Sequence, residues 1–153
     1  EVTISLVLAS ITRGLCIAFI STFIFIFFLD LSIQNFFLWF LYIFLAGFFL
    51  GSVGVIAGLY ADKFDQMATV TNFIIIPLSF LSGTFYSIDR LPDILKNVSE
   101  INPFFYIIDG FRYGFLGVSD GSIQFGLFYL LILSFITWFA AYILFKKGYK
   151  IKS

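Results

Sequence analysis

The sequence predicts an all-α membrane protein, and three observations carry that prediction. Hydrophobic residues make up 61% of the chain and charged residues 12%, whereas a soluble domain carries about a quarter charged residues. So few charges cannot cover a 153-residue globule without leaving large apolar patches in water. The apolar residues fall into four long runs, each near the roughly 20 residues that a helix needs to cross hydrocarbon. Lysine and arginine are spread unevenly between these runs, the asymmetry that orients membrane proteins.

The first predicted span covers about 8–29, with Arg13 near its start, placed to snorkel to the headgroups, and Asp30 closing it. Ser32-Ile33-Gln34-Asn35 reads as a short turn, so a second span covers 36–61 and forms a hairpin with the first. Asp62-Lys63-Phe64-Asp65 is a further tight polar turn. A third span, 67–86, follows and is interrupted by Pro77, which removes a backbone donor and should kink the helix. The fourth span covers 123–145, ahead of a tail over 146–153. Segment 87–122 mixes charges, Pro92, Pro103 and glycines with the aromatic cluster Phe104-Phe105-Tyr106. It is too polar to cross and too apolar for a loose loop, and reads as one or two short helices at the interface or dipping partway in.

Basic residues favour the cytoplasmic side. The tail carries Lys146, Lys147, Lys150 and Lys152, which places the C-terminus inside. Counting back puts Arg13 and Lys63 on that side too, and leaves Arg90, Lys96 and Arg112 outside with segment 87–122. The chain opens on Glu1 rather than Met, with apolar sequence almost at once, and reads as a fragment whose N-terminal part is missing. No signal-peptide pattern is visible.

Zero net charge argues against a nucleic-acid partner. Cys16 is the only cysteine; it permits no intrachain disulfide and is expected as a small buried side chain. Ser82-Gly83 raises the possibility of a membrane serine nucleophile, but that chemistry needs a base such as histidine, and the chain has none. The same absence, with a single cysteine, leaves no histidine-carboxylate or paired-cysteine metal site. No Gly-x-x-x-x-Gly-Lys-Ser/Thr loop is present for nucleotide phosphates. Catalytic, metal-binding and cofactor-binding residues are therefore expected to be none.

The stretch Pro77-Leu78-Ser79-Phe80-Leu81-Ser82-Gly83-Thr84-Phe85-Tyr86-Ser87-Ile88, then Leu91-Pro92, Ile101-Asn102-Pro103-Phe104-Phe105-Tyr106 and Asp109-Gly110-Phe111-Arg112-Tyr113-Gly114-Phe115-Leu116-Gly117, resembles the signature region of ABC-2 permeases. Those proteins carry a Ser-Gly-aromatic exit from the fifth span, a Leu-Pro about ten residues on, an Asn-Pro-aromatic turn and an Arg-containing helix. The likeness is specific over 72–117 and consistent in span layout throughout. It implies that the four spans are the third to sixth of six, in the membrane-spanning subunit of a bacterial ABC exporter in the inner (plasma) membrane. It also implies a separate ATP-binding subunit, which would hold the ATP, and a second permease copy as dimer partner. Within the family, Phe111-Arg112-Tyr113-Gly114-Phe115-Leu116-Gly117 looks most like the drug and lipo-oligosaccharide export branch. The substrate class implied is hydrophobic, drug-like or lipid- or saccharide-linked. The alternative is a channel or structural multi-span protein outside that family, although no potassium-filter motif or acidic ring is visible.

Individual residues acquire expectations in this frame. Gly47, Gly51, Gly54 and Gly58 share one helix face, a stripe that lets another helix approach closely, either for internal packing or as a moving or dimer-facing surface. Pro77, Ser82, Gly83, Phe85 and Tyr86 mark a bend and helix exit, structural or gate-forming. Asn102 and Pro103 suit an N-cap and first helical position. Asp109 and Arg112, three apart, share a face, as an exposed ion pair or as part of an aromatic helix shielding the outer end of a transport path. Phe104, Phe105, Tyr106, Phe111 and Tyr113 would form its wall.

Overall fold

The computed structural model describes residues 2–29, 32–61, 63–84 and 92–147. All regular structure among these is helical: α1 Val2–Leu29, α2 Phe36–Tyr60, α3 Phe64–Val70, a π-helical segment Thr71–Ile75, α4 Ile76–Phe80, α5 Asp93–Ile101, α6 Pro103–Leu116 and α7 Ile123–Lys146. Among the described residues three helices, α1, α2 and α7, are long and apolar enough to cross a bilayer. Their 24 to 28 residues give lengths of about 36–42 Å at 1.5 Å per residue. Their outward faces carry Phe23, Phe27, Phe28, Phe128, Ile132 and Phe135 in exposed positions, the surface that lipid solvates in an all-α membrane protein.

Helix α2 lies at the centre and packs against α1, α6 and α7. It starts at Phe36 because Asn35 caps it, its side chain accepting from Leu38 N at 3.1 Å. Helix α7 starts the same way, with the Ser122 side chain accepting from Phe125 N. Helix α1 begins at Val2, six residues before the expected start of the first span; Thr3 and Ser5 are too mildly polar to stop it. Cys16, expected buried, is exposed on α1.

The expected third span is the continuous helical run of α3, the π segment and α4, from Phe64 to Phe80. It is about 25 Å long and ends before the expected boundary; Phe85 and Tyr86 lie outside the described residues, as does most of the lysine tail. Pro77 does not break this helix. The turn ahead of it widens instead, with Ile76 N donating to Thr71 O five residues back, a register shift that commonly accompanies proline in helices.

Candidate functional site

The aromatic segment after the third helix does more than lie at the edge of the bundle. Helix α6 inserts between α2 and α7, burying Phe105, Tyr106, Asp109, Gly110, Gly114 and Phe115. Two glycines one turn apart make this possible. A Cβ on Gly114 would stand 2.5 Å from Trp39 N, and one on Gly110 would enter the Tyr42 ring. Gly126 of α7 admits Tyr106 in the same way. Trp39 and Tyr42 are fully buried there, Trp39 with Ile43 and Phe115, and Tyr42 with Leu45, Phe105, Tyr106 and Leu130.

Each end of α6 is tied to a neighbour. At the C-terminal end, where the last carbonyls of a helix lack internal partners, Asn35 N donates to Gly114 O at 2.8 Å and Gln34 N to Phe115 O at 3.3 Å. Gly117, at φ +74°, ends the helix in the left-handed conformation that glycine adopts without strain. At the N-terminal end Asn102 is 3% exposed and serves two helices at once. Its Oδ1 accepts from Phe104 N at 3.0 Å, and its Nδ2 donates to Leu78 O of α4 at 2.6 Å. Tyr106 and Tyr129 donate from their hydroxyls to Glu100 O and Ile101 O, so the α5–α6 corner sits alongside the second turn of α7. Replacing Asn102 with Ala removes the cap and leaves the Leu78 carbonyl without its donor. The expected loss is about 2 kcal/mol, read as a lower unfolding midpoint in detergent.

The Ser82-Gly83 pair is a helix stop. Ser82 Oγ donates to Ser79 O, and the Thr84 hydroxyl, 2.9 Å from Ser82 Oγ and 3.2 Å from Ser79 O, has its single proton to give to one of these two oxygens. Gly83 turns the chain at φ +76°. The terminal carbonyls of α4 are thus satisfied by Ser82, Thr84 and Asn102, which is why this helix ends at the level of the α5–α6 corner.

The Asp109–Arg112 pair departs from the exposed arrangement, one of the two expected for it. Asp109 is 2% exposed. Its Oδ1 accepts from Arg112 at 2.7 Å and from Asp120 N at 2.8 Å, and its Oδ2 accepts from Gly121 N at 3.1 Å. Arg112 also reaches Asp120 Oδ2 at 2.9 Å. Desolvation would lower the Arg112 pKa, but its hydrogen bonds to Asp109 and Asp120 together outweigh that and carry it upward. The cluster folds the 118–122 loop back onto α6 and sets where α7 begins. Asp120 and Gly121 had no place among the expected site residues; the Asp-Gly pair, a turn signal with free backbone N–H groups, was the available clue. Tyr42 completes the region by donating to Ile123 O at 2.7 Å. Tyr42→Phe is expected to cost about 1 kcal/mol with the fold intact, measured the same way.

The aromatic residues do not form a single wall. Phe105 and Tyr106 face α2 and α7, while Phe111 packs on Trp39 and Phe115. Phe111 also borders an open groove of about 990 Å³ along α1 and α2. The glycine stripe divides along this groove. Gly47 and Gly51 meet Ile11 and Ser10 of α1, whereas a Cβ on Gly54 or Gly58 would meet nothing within 4 Å. Arg13 lines the same groove. It stands eleven residues into α1, about 16 Å from Val2 and near the level of Gly47, close to the middle of α2. Its side chain is exposed there. No group of acidic residues, histidines or cysteines among the described residues is arranged to hold a metal.

The comparisons with known proteins agree with this architecture. The profile of the family described as ABC-2 type transporter matches residues 1–116. The inner membrane transport permease YadH of Escherichia coli K12 is 34% identical over 127 residues, covering 82% of this chain and 50% of that protein. Nodulation protein J of Sinorhizobium fredii is 26% identical over 95 residues, 62% of this chain and 36% of that protein. The chain therefore spans about half the length of the first of these relatives. No solved structure matches it. With the profile covering most of its length and the apolar helices packed as a bundle, the chain belongs to the ABC-2 type transporter family.

Proposed function

We infer that the chain is the C-terminal part of a permease subunit in an ATP-driven exporter of the bacterial inner membrane. Energy would come from a separate ATP-binding subunit, and two permease copies would form the path. The observation that carries this reading is the family match over residues 1–116, and the printed name of the E. coli relative, an inner membrane transport permease, supports it. The chain has no phosphate-binding loop of its own, which fits hydrolysis on a partner.

In this reading the Phe64–Phe80 helix is a fourth crossing, the lysine-rich C-terminus faces the cytoplasm, and α5–α6 closes the outer end of the path. The spans contain almost no ionisable side chains apart from Arg13, unlike carriers driven by protons or ions. A hydrophobic or lipid- or saccharide-linked substrate suits such walls.

Affinity purification of the full-length protein from native membranes tests the proposal. An ATPase subunit is expected to copurify, and its turnover should rise when the permease is present. A reconstituted permease that conducts ions without nucleotide, and brings no ATPase with it, would overturn the reading.

A further inference from the structure

A smaller notch opens where α1, α2 and α7 meet. Its volume is about 260 Å³, and only aliphatic and aromatic side chains line it, among them Ile4 and Leu8 of α1, Phe44 and Phe48 of α2, and Phe135 and Trp138 of α7. Phe48 meets Phe135 edge to face at 5.7 Å, which joins two of its walls. A helix is about 10 Å across, so one lying along residues 4–11 would displace roughly 800 Å³. The notch offers about a third of that, room for one extended hydrocarbon chain.

A line of side chains leads from the notch to a pair of cations. Phe135, Trp138, Tyr142 and Lys146 follow one another at intervals of three, four and four, which keeps them on one face of α7. The Trp138 and Tyr142 rings stack at 6.2 Å. Phe135 and Tyr142 are exposed, as are Lys146 and Lys147. Lys146 lies about 12 Å along the helix from Trp138 and about 16 Å from Phe135, and one leaflet of the hydrocarbon core is about 15 Å deep. An acyl chain whose headgroup sits at the lysines therefore carries its distal half to the depth of the notch. Basic residues at the end of a span attract anionic headgroups, and Lys150 and Lys152 follow Lys146 within six residues. Tyr142, one turn inward of Lys146, suits the boundary between headgroups and chains.

We propose that this face of the bundle binds one anionic phospholipid, with its phosphate at Lys146 and Lys147 and an acyl chain in the notch between α1, α2 and α7. The lipid is a resident of the protein surface. The inference rests only on the bundle lying in a bilayer, and does not depend on what is transported or in which direction.

The test uses the full-length permease in phosphatidylcholine vesicles, with Trp138 as the reporter. Bromines on a lipid chain quench an indole that they touch, and subtracting the quenching seen in Trp138→Phe isolates the Trp138 signal. Phosphatidylglycerol brominated in the distal half of its chain is expected to quench Trp138 at a lower mole fraction than the matching phosphatidylcholine, by roughly five-fold for each lysine engaged. Lys146→Gln with Lys147→Gln should abolish that preference, with quenching by phosphatidylcholine and the helical circular dichroism unchanged. Ile4→Phe, which fills the notch, should weaken quenching by both lipids. The proposal is overturned if the two lipids quench equally, if the preference survives the double lysine variant, or if Ile4→Phe changes nothing. It is also overturned if neither lipid reaches Trp138, because another part of the protein then covers the notch. Copurification of an ATPase subunit does not involve this face, so any of these failures leaves the exporter reading standing.

Discussion

Gly114→Ala is expected to pry α6 away from α2. The added carbon would stand 2.5 Å from Trp39 N and 2.6 Å from Trp39 Cα, and neither atom can rotate aside as a side-chain tip could. The gain that Ala normally brings to a helix over Gly, about 1 kcal/mol, is overwhelmed. The two backbones must move apart, and that loosens the hydrogen bonds from Gln34 and Asn35 to the end of α6. Over-packing of a fitted core costs about 1–3 kcal/mol, and a backbone-on-backbone clash belongs at the upper end. Gly47→Ala is the graded comparison. Its nearest neighbour, Ile11 Cα, would be 3.0 Å away, so a shift of a few tenths of an ångström suffices and the loss should be clearly smaller. Unfolding midpoints of the two variants in the same detergent check the ranking; equal stability of both would contradict the contact described here.

Asp109→Ala should be comparably severe for a different reason. The carboxylate accepts three hydrogen bonds, two of them from the backbone of the following loop. Its removal strands the Asp120 and Gly121 N–H groups and leaves Arg112 with Asp120 alone. Breaking a buried pair by deleting one partner costs about 3–5 kcal/mol. Because Arg112 is a quarter exposed, water screens part of that, and about 3 kcal/mol is expected. Asp109→Asn retains an acceptor for the loop and should recover part of the loss. The measurement is the unfolding midpoint together with proteolysis after residue 117, where a released loop would become susceptible.

What the sequence made legible follows from how far each feature reaches along the chain. The apolar runs announced α1, α2 and α7, and local chemistry announced the turn ahead of Phe36 and the cap at Asn102, since a cap involves residues two or three positions away. The left-handed turn at Gly83 and the proline at the start of α6 belong to the same local class. Partnership between distant segments was not legible. That Asp109 would be buried depended on a loop eleven residues later folding over it, and the split of the glycine stripe depended on where α1 crosses α2. Gly110 and Gly114 stood in plain view at a spacing of four, but which helix they would meet was a matter of three-dimensional arrangement.

The amide of Asn102 has a mechanical implication. It is hinged to the end of one rod at Leu78 and forms the first rung of another at Phe104, so the two rods share a single pin. Sliding or twisting of the Phe64–Phe80 rod past its resting position must therefore tow α6 along or snap a 2.6 Å bond. The wide turn at Thr71–Ile75 sits within two turns of that pin, on the portion of the rod best able to absorb torque before the linkage is loaded.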